Sequence, residues 1–199
     1  MRTYTIQKMT DAGWDAIPAL DIDHRYFETP EEIKAYAKIA YDDEAILVHL
    51  STKEKSIRAV ETGDLGSPCE DSCLEFFFSP MEGDLRYFNV EFNSNGCMYL
   101  GMGSYIGDLV RLLPGDGVNP FSYSINKEEG AWDITYRVPY EFIRRFFPEF
   151  SVYPGKHMRA NCYKCADLSE PPHYMAWSPI VGTPFKFHRP ECFGEMIFG

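Results

Sequence analysis

Asp71-Ser-Cys-Leu-Glu-Phe-Phe-Phe-Ser-Pro-Met-Glu-Gly-Asp-Leu-Arg-Tyr-Phe-Asn-Val-Glu-Phe-Asn93 reads as two short strands and the turn that joins them. Leu74, Phe76 and Phe78 fall on one side of the first segment, and Phe88, Val90 and Phe92 fall on one side of the second, opposite Tyr87, Asn89 and Glu91. That period of two marks a strand with one face toward a core. Between them Ser79-Pro-Met-Glu-Gly-Asp-Leu85 is dense in turn formers, so an antiparallel hairpin is the natural connection. With both apolar rows facing the core, only every second register is admissible. One sets Glu75 opposite Asn89, and the next sets Glu75 opposite Glu91. Under either, Glu75, Asn89 and Glu91 share the non-core surface, which is a polar platform for a ligand's hydroxyls or simply the solvated side of a sheet. Directly opposed carboxylates, with Cβ atoms about 4.5 to 5.5 Å apart, repel each other. Arg86 or Lys164 is the expected neutralising neighbour. Asp71 has a similar pair of readings, as a ligand contact or as a turn carboxylate that accepts from backbone amides.

Outward from the hairpin the pattern repeats. Residues 44–50, 97–100, 132–138, 159–165 and 195–198 are short and rich in aromatic and β-branched side chains, the composition of strands. Trp132, Ile134, Tyr136 and Val138 take one face of their segment while Asp133, Thr135 and Arg137 take the other. Residues 29–38, with Thr29 as a cap and Pro30 in the first turn, carry a helical period that competes with an extended reading. Residues 139–147, ahead of Pro148, are the firmer helix. No internal repeat or linker-like tract divides the chain, so residues 1–199 are expected to form one domain. The pattern predicts an all-β fold, an antiparallel two-sheet β-sandwich with one or two short helices. Phe76, Phe88, Val90, Ile134, Tyr136 and Val138 are its expected core.

Composition narrows the partners. Asp and Glu number 30 against 19 Lys and Arg, a formal charge of −11, which argues against nucleic acid or an anionic membrane surface. Residues 92–107, the longest stretch without charge, include Asn93, Ser94, Asn95 and several glycines and are too polar to span a bilayer. The first residues lack the apolar run of a secretory signal, so a cytoplasmic setting is expected, or an extracellular one if a signal has been removed. The 6 cysteines are too sparse for a disulfide scaffold and are expected to be reduced. Cys162 and Cys165 form the only C-x-x-C, but a three-residue step along a strand points the two sulfurs to opposite faces. They read as structural thiols, neither bonded to each other nor sharing a zinc ion.

The carboxyl-terminal run Pro171-Pro-His-Tyr-Met-Ala-Trp-Ser-Pro-Ile180 and Phe185-Lys-Phe-His-Arg-Pro-Glu-Cys-Phe-Gly194 mixes prolines with aromatics and has no clear period. It reads as an ordered loop in which Trp177 either offers a flat indole for stacking on a sugar ring or plugs the end of the core. Trp132 belongs to the core face by alternation, and Trp14 covers a sheet edge. His188 with Arg189 and Glu191 forms a polar wall or a tie to the body. No H-x-x-x-H, G-x-S-x-G, P-loop or dinucleotide fingerprint occurs.

Five blocks in order carry a further signal: residues 71–80, 87–93, 161–165, 176–180 and 187–194. Together they resemble the family-9-like carbohydrate-binding modules, close to those appended to xylanases, and the resemblance runs from about residue 17 to 198. It implies a β-sandwich that binds plant-polysaccharide fragments such as cello- or xylo-oligosaccharides without cleaving them. No cofactor is implied, although some relatives carry structural calcium. In the xylanase-linked modules two tryptophans clamp a sugar while a carboxylate and an arginine bond its hydroxyls. Carried over residue by residue, Trp177 matches one wall, Glu75 the carboxylate and Arg86 the arginine, with Asn89 and Glu91 beside them. Residues 61–70 contain no aromatic, so the second wall is missing. The alternatives are a xylanase-like glycoside hydrolase that uses Glu75 and Glu91 as its two carboxylates, and a structural or protein-interaction sandwich.

Overall fold

The computed structural model describes residues 2–113 and 119–199. Its strands are β1 (Thr3–Lys8), β2 (Leu20–Asp21), β3 (His24–Tyr26), β4 (Lys34–Tyr41), β5 (Ala45–Lys53), β6 (Cys73–Ser79) and β7 (Tyr87–Asn93). They continue as β8 (Met98–Gly103), β9 (Val110–Arg111), β10 (Tyr123–Glu128), β11 (Ala131–Pro139), β12 (His157–Ala166), β13 (His173–Ala176) and β14 (Gly194–Phe198). Among the described residues there is one α-helix, α1 (Tyr140–Arg144), where residues 139–147 predict it. Residues 29–38 are not helical. Ile33, Ala35, Ala37 and Ile39 are buried at every second position, and this period of two places Lys34–Tyr41 in a strand.

The ladder runs β10-β11-β5-β4-β1-β14-β12-β6-β7-β8-β9, with β2 pairing β4, and β13 joining β12 to β3. The expectation of a purely antiparallel pair of sheets needs correction, because the sheet is mixed and continuous. β1 causes both departures. Thr3 to Ile6 pair in parallel with β14, after which Gln7 and Lys8 pair in parallel with β4, so one short strand stitches the two halves together.

The inner faces of the two halves meet. Phe92 of β7 lies 5.2 Å from Tyr136 of β11, ring centre to ring centre. Phe88 sits among Phe142, Phe146 and Phe147, on and just after α1. The six expected core residues are all buried here. Trp132 is buried with them, and its indole N–H donates to Ser72 Oγ at 2.8 Å. Each such aromatic contact adds about 0.5 to 1.5 kcal/mol beyond simple burial.

The outer face of β6, β7 and β12 differs from the polar, solvated face that alternation suggests. Every residue of β6 and β7 is buried, because the carboxyl-terminal segment folds back over this side. Phe77, Tyr87 and Tyr163 form a second apolar cluster there with Ile180, Cys192 and Phe193. Where that cover stops short, a groove remains over Glu75 and Glu91.

Candidate ligand-binding groove

Strand geometry assembles the floor. Along β6 the period of two sets Cys73, Glu75 and Phe77 outward while Leu74, Phe76 and Phe78 enter the core. Of the two admissible registers the hairpin adopts the one that pairs Glu75 with Glu91. Asn89 pairs with Phe77, and its Nδ2 donates to Glu91 Oε1 at 2.8 Å. Gly101 of β8 lies opposite Asn89, and a Cβ there would collide with Asn89 Oδ1, so the glycine leaves that amide its place. On the other flank Cys165 of β12 pairs with Cys73, and its Sγ–H donates to Glu75 Oε1 at 2.9 Å.

The groove above this floor encloses about 950 Å³. Cys69 and Asp167 extend its polar part, and Phe27, Tyr174, Phe185 and Phe187 form an aromatic wall. The wall is an edge-to-face array. Phe27 stands 5.1 Å from Phe185 and 5.5 Å from Tyr174, and Phe185 stands 5.6 Å from Phe187, which stacks on Tyr163 at 4.2 Å. Phe27 is the exposed end of the array, at 72%. Its φ of 55° is a left-handed conformation that a bulky side chain adopts only at a cost of about 1 kcal/mol or more, as residues at ligand sites often do.

The electrostatics follow from burial without a counter-ion. Glu75 is 2% exposed and Glu91 is 6% exposed. Among the described residues neither carboxyl forms an ion pair; the recorded partners are the Cys165 thiol and the Asn89 amide. Desolvation pushes both carboxyls up, and the neighbouring charge of Glu91 raises Glu75 further. The floor therefore holds protons near neutral pH and can donate as well as accept hydrogen bonds. Asp167 is also raised by burial. His188 closes one end, its Nδ1 2.9 Å from the Tyr87 hydroxyl, and burial, then Lys186, holds it down to about 4, so the ring is neutral.

The structure brings Glu75, Asn89 and Glu91 together and places Arg86 and Trp177 elsewhere. Arg86 binds Asp84 at 2.6 Å and lies over the Phe147 ring at 4.6 Å, in a separate depression beside Leu85 and Pro148. Lys164 is on the core side, because alternation along β12 turns Cys162 and Lys164 inward and Tyr163 and Cys165 outward. There its ammonium meets His173 Nε2 at 2.8 Å and Glu54 at 3.4 Å. The same alternation separates Cys162 from Cys165, as the sequence predicts, and both thiols are free. Trp177 is 3% exposed and plugs the core, beneath Gly194 and 6.5 Å from Tyr4 in a T-shaped contact. Its backbone N–H donates to the Cys162 carbonyl at 2.9 Å, extending the β12–β13 pairing, so Met175 and Trp177 point inward together. Asp71 is a turn anchor. It is fully buried and accepts from the backbone of Val60 and Glu61 and from the Asn93 amide.

The residues that sequence reasoning missed are Phe27, Cys69, Asp167 and Tyr174. Phe185 and Phe187 left a trace, as aromatics two apart in the proline-rich run. For metal ligation, the only group of three ligating side chains found close together among the described residues is Cys73, Glu75 and Cys165. Two thiols and one carboxyl do not suit calcium, which takes six to eight oxygens. No helix of the described residues is long and apolar enough to cross a membrane.

Comparisons with known proteins agree with this fold. Among curated proteins none matches the sequence. A presumed carbohydrate-binding protein from Bacteroides uniformis ATCC 8492 is 28% identical, with 100% of this chain and 99% of that one covered and a TM-score of 0.83. A family 9 carbohydrate-binding module from Caldicellulosiruptor kristjanssonii in complex with glucose shares the fold at 11% identity, covering 100% of this chain and 96% of that one, with a TM-score of 0.70. A family 9 module from the same organism in complex with cellotriose does so at 13% identity, 99% and 93% coverage and a TM-score of 0.64. The model of Carbohydrate-binding family 9 matches residues 14–198, almost the whole of the curled sheet and the groove on its outer face, and the chain belongs to that family.

Proposed function

We propose that the groove binds a neutral oligosaccharide of the cellotriose kind without cleaving it. The observation that carries the reading is a buried carboxyl pair, with no ion-pair partner among the described residues, at the floor of an aromatic-walled groove. Glu75 and Glu91, the latter held by the Asn89 amide behind it, present acceptors and, where a carboxyl keeps its proton, donors, which matches hydroxyls that both give and take hydrogen bonds. Phe27, with Phe185 and Tyr174 behind it, offers a ring face for the apolar side of a pyranose. This single wall takes the place of the tryptophan clamp implied by the resemblance.

Carbohydrate-binding family 9 is non-catalytic, and the electrostatics support the same reading. A retaining hydrolase needs one carboxylate ionised as nucleophile and the other protonated as acid, which requires environments that push the two apart. Here both move upward. Packing of the two halves of the sheet, inner face to inner face, supports treating the fold as a two-layer sandwich in the family's manner.

Calorimetric titration with cellotriose and xylotriose tests the proposal. Phe27→Ala removes an exposed ring, so the fold should persist while affinity falls about tenfold or more. The proposal fails if neither sugar binds, or if a bound sugar is held equally well by Phe27→Ala and Glu91→Ala.

A further inference from the structure

We propose that Cys73, Glu75 and Cys165 form a binding site for a thiophilic divalent cation of the zinc class at the floor of the groove. C-x-E along β6 places the Cys73 thiol and the Glu75 carboxyl on one face, and the β6–β12 register sets the Cys165 thiol directly across from Cys73. The three ligating atoms lie within 4.8 Å of one another, and all three residues are buried. Three donors around one point at metal–sulfur and metal–oxygen distances of about 2.0 to 2.3 Å require spacing of that order. A second observation points to a missing partner. Glu75 Oε1 accepts from Cys165, while Glu75 Oε2, buried in the same floor, has no hydrogen-bond partner. A buried carboxyl oxygen left in this way carries an uncompensated desolvation cost that a bound cation would relieve.

The donor set selects the ion. Two thiolates prefer zinc-class metals over calcium or magnesium, and the carboxylate oxygen disfavours copper(I). Binding displaces both thiol protons, and the Glu75 proton where the carboxyl holds one, to solvent, so affinity rises with pH. Glu91, across the hairpin, and Cys69, on the rim, line the same groove as further donors. Lys164 lies behind the floor, with its ammonium on the Cys165 carbonyl at 2.9 Å, and Glu54 at 3.4 Å offsets its charge. The pairing differs from the C-x-x-C of the sequence, since Cys165 works with Cys73 and not with Cys162.

The cation site shares Glu75 with the proposed sugar groove but does not rest on the sugar reading, and it is tested with metal alone. Cobalt(II) is titrated into the reduced protein, with thiolate-to-cobalt charge-transfer absorption as the readout. The expected result is one equivalent bound, displaced by zinc, with the absorption abolished in Cys73→Ala and Cys165→Ala and kept in Cys97→Ala. Should the alanine variants fail to fold, Glu75→Gln keeps both thiols and should weaken cobalt at least tenfold while circular dichroism stays native. Absence of the absorption in folded wild-type protein, or its persistence in Cys165→Ala, overturns the proposal. Either result leaves the cellotriose titration unaffected.

Discussion

Glu91→Gln removes a charge that the fold disfavours and keeps the shape and the acceptor that Asn89 uses. In the folded protein burial, which disfavours the anion, pushes the Glu91 carboxyl up to about 7 from a usual value of 4.5. A carboxyl raised in this way stabilises the fold fully below the unfolded value, and that contribution is lost as pH rises through the folded value. The loss amounts to about 3 kcal/mol by pH 8 and only about 1 kcal/mol at pH 5. Glutamine never ionises, so the variant should gain on the wild type by about 1 kcal/mol at pH 5 and about 3 kcal/mol at pH 8. Glu75, whose carboxyl is raised by burial and by Glu91, loses part of its penalty in the variant, which adds to the gain. Other groups act in the opposite direction. His188, held down to about 4, stabilises above pH 6.5 and loses that effect as pH falls, so the wild-type curve alone mixes signs. The difference between variant and wild type cancels such common terms. Urea unfolding followed by fluorescence of the 3 tryptophans at several pH values between 5 and 8 measures it. A difference that stays flat across that range, or a variant less stable than wild type at pH 8, would refute the claim that the groove floor buries carboxyls at the expense of stability.

Trp177→Ala should cost about 3 to 5 kcal/mol in denaturant unfolding, since the indole fills the core beneath Gly194; a loss under 1 kcal/mol would return Trp177 to the surface. Gly194→Ala drives a Cβ into that indole and toward the Arg2 carbonyl, and should lower the thermal midpoint with about 1 to 3 kcal/mol of overpacking. Lys164→Ala leaves Glu54 buried against His173 without its ammonium, and should destabilise by about 3 to 5 kcal/mol at neutral pH. A neutral outcome there would mean that water already reaches this cluster.

Much of this molecule can be read one strand at a time. Alternation placed Phe76, Phe88, Val90, Ile134, Tyr136 and Val138 in the core, separated Cys162 from Cys165, and narrowed the hairpin to two registers, one of them the observed Glu75–Glu91 pairing. The helix after β11 was legible from its period and the proline beyond it. Family membership was legible from five ordered blocks, all of which lie within the residues 14–198 that the family's model matches.

Alternation could not say what covers the second face of a strand. It assigned Glu75, Asn89 and Glu91 to a common surface, but their burial, and with it their protonation, depends on residues 177–193 folding back from far along the chain. The two readings of Trp177, exposed indole or core plug, stayed open for the same reason. Its loop composition allowed either, and its backbone bond to Cys162, which continues a strand, turned the ring inward. Phe27 and Tyr174, 147 positions apart, meet only because β3 pairs with β13. The parallel seam at β1 likewise joins residues 3–8 to residues 195–198 and to β4, a contact with no local signature. The sequence by itself determined which side chains share a strand face, because that is set by the two-residue repeat of an extended backbone. Only the tertiary structure decided which faces are dry, which carboxyls lack counter-ions and which aromatics line the groove, because those properties come from surfaces brought together across the length of the chain.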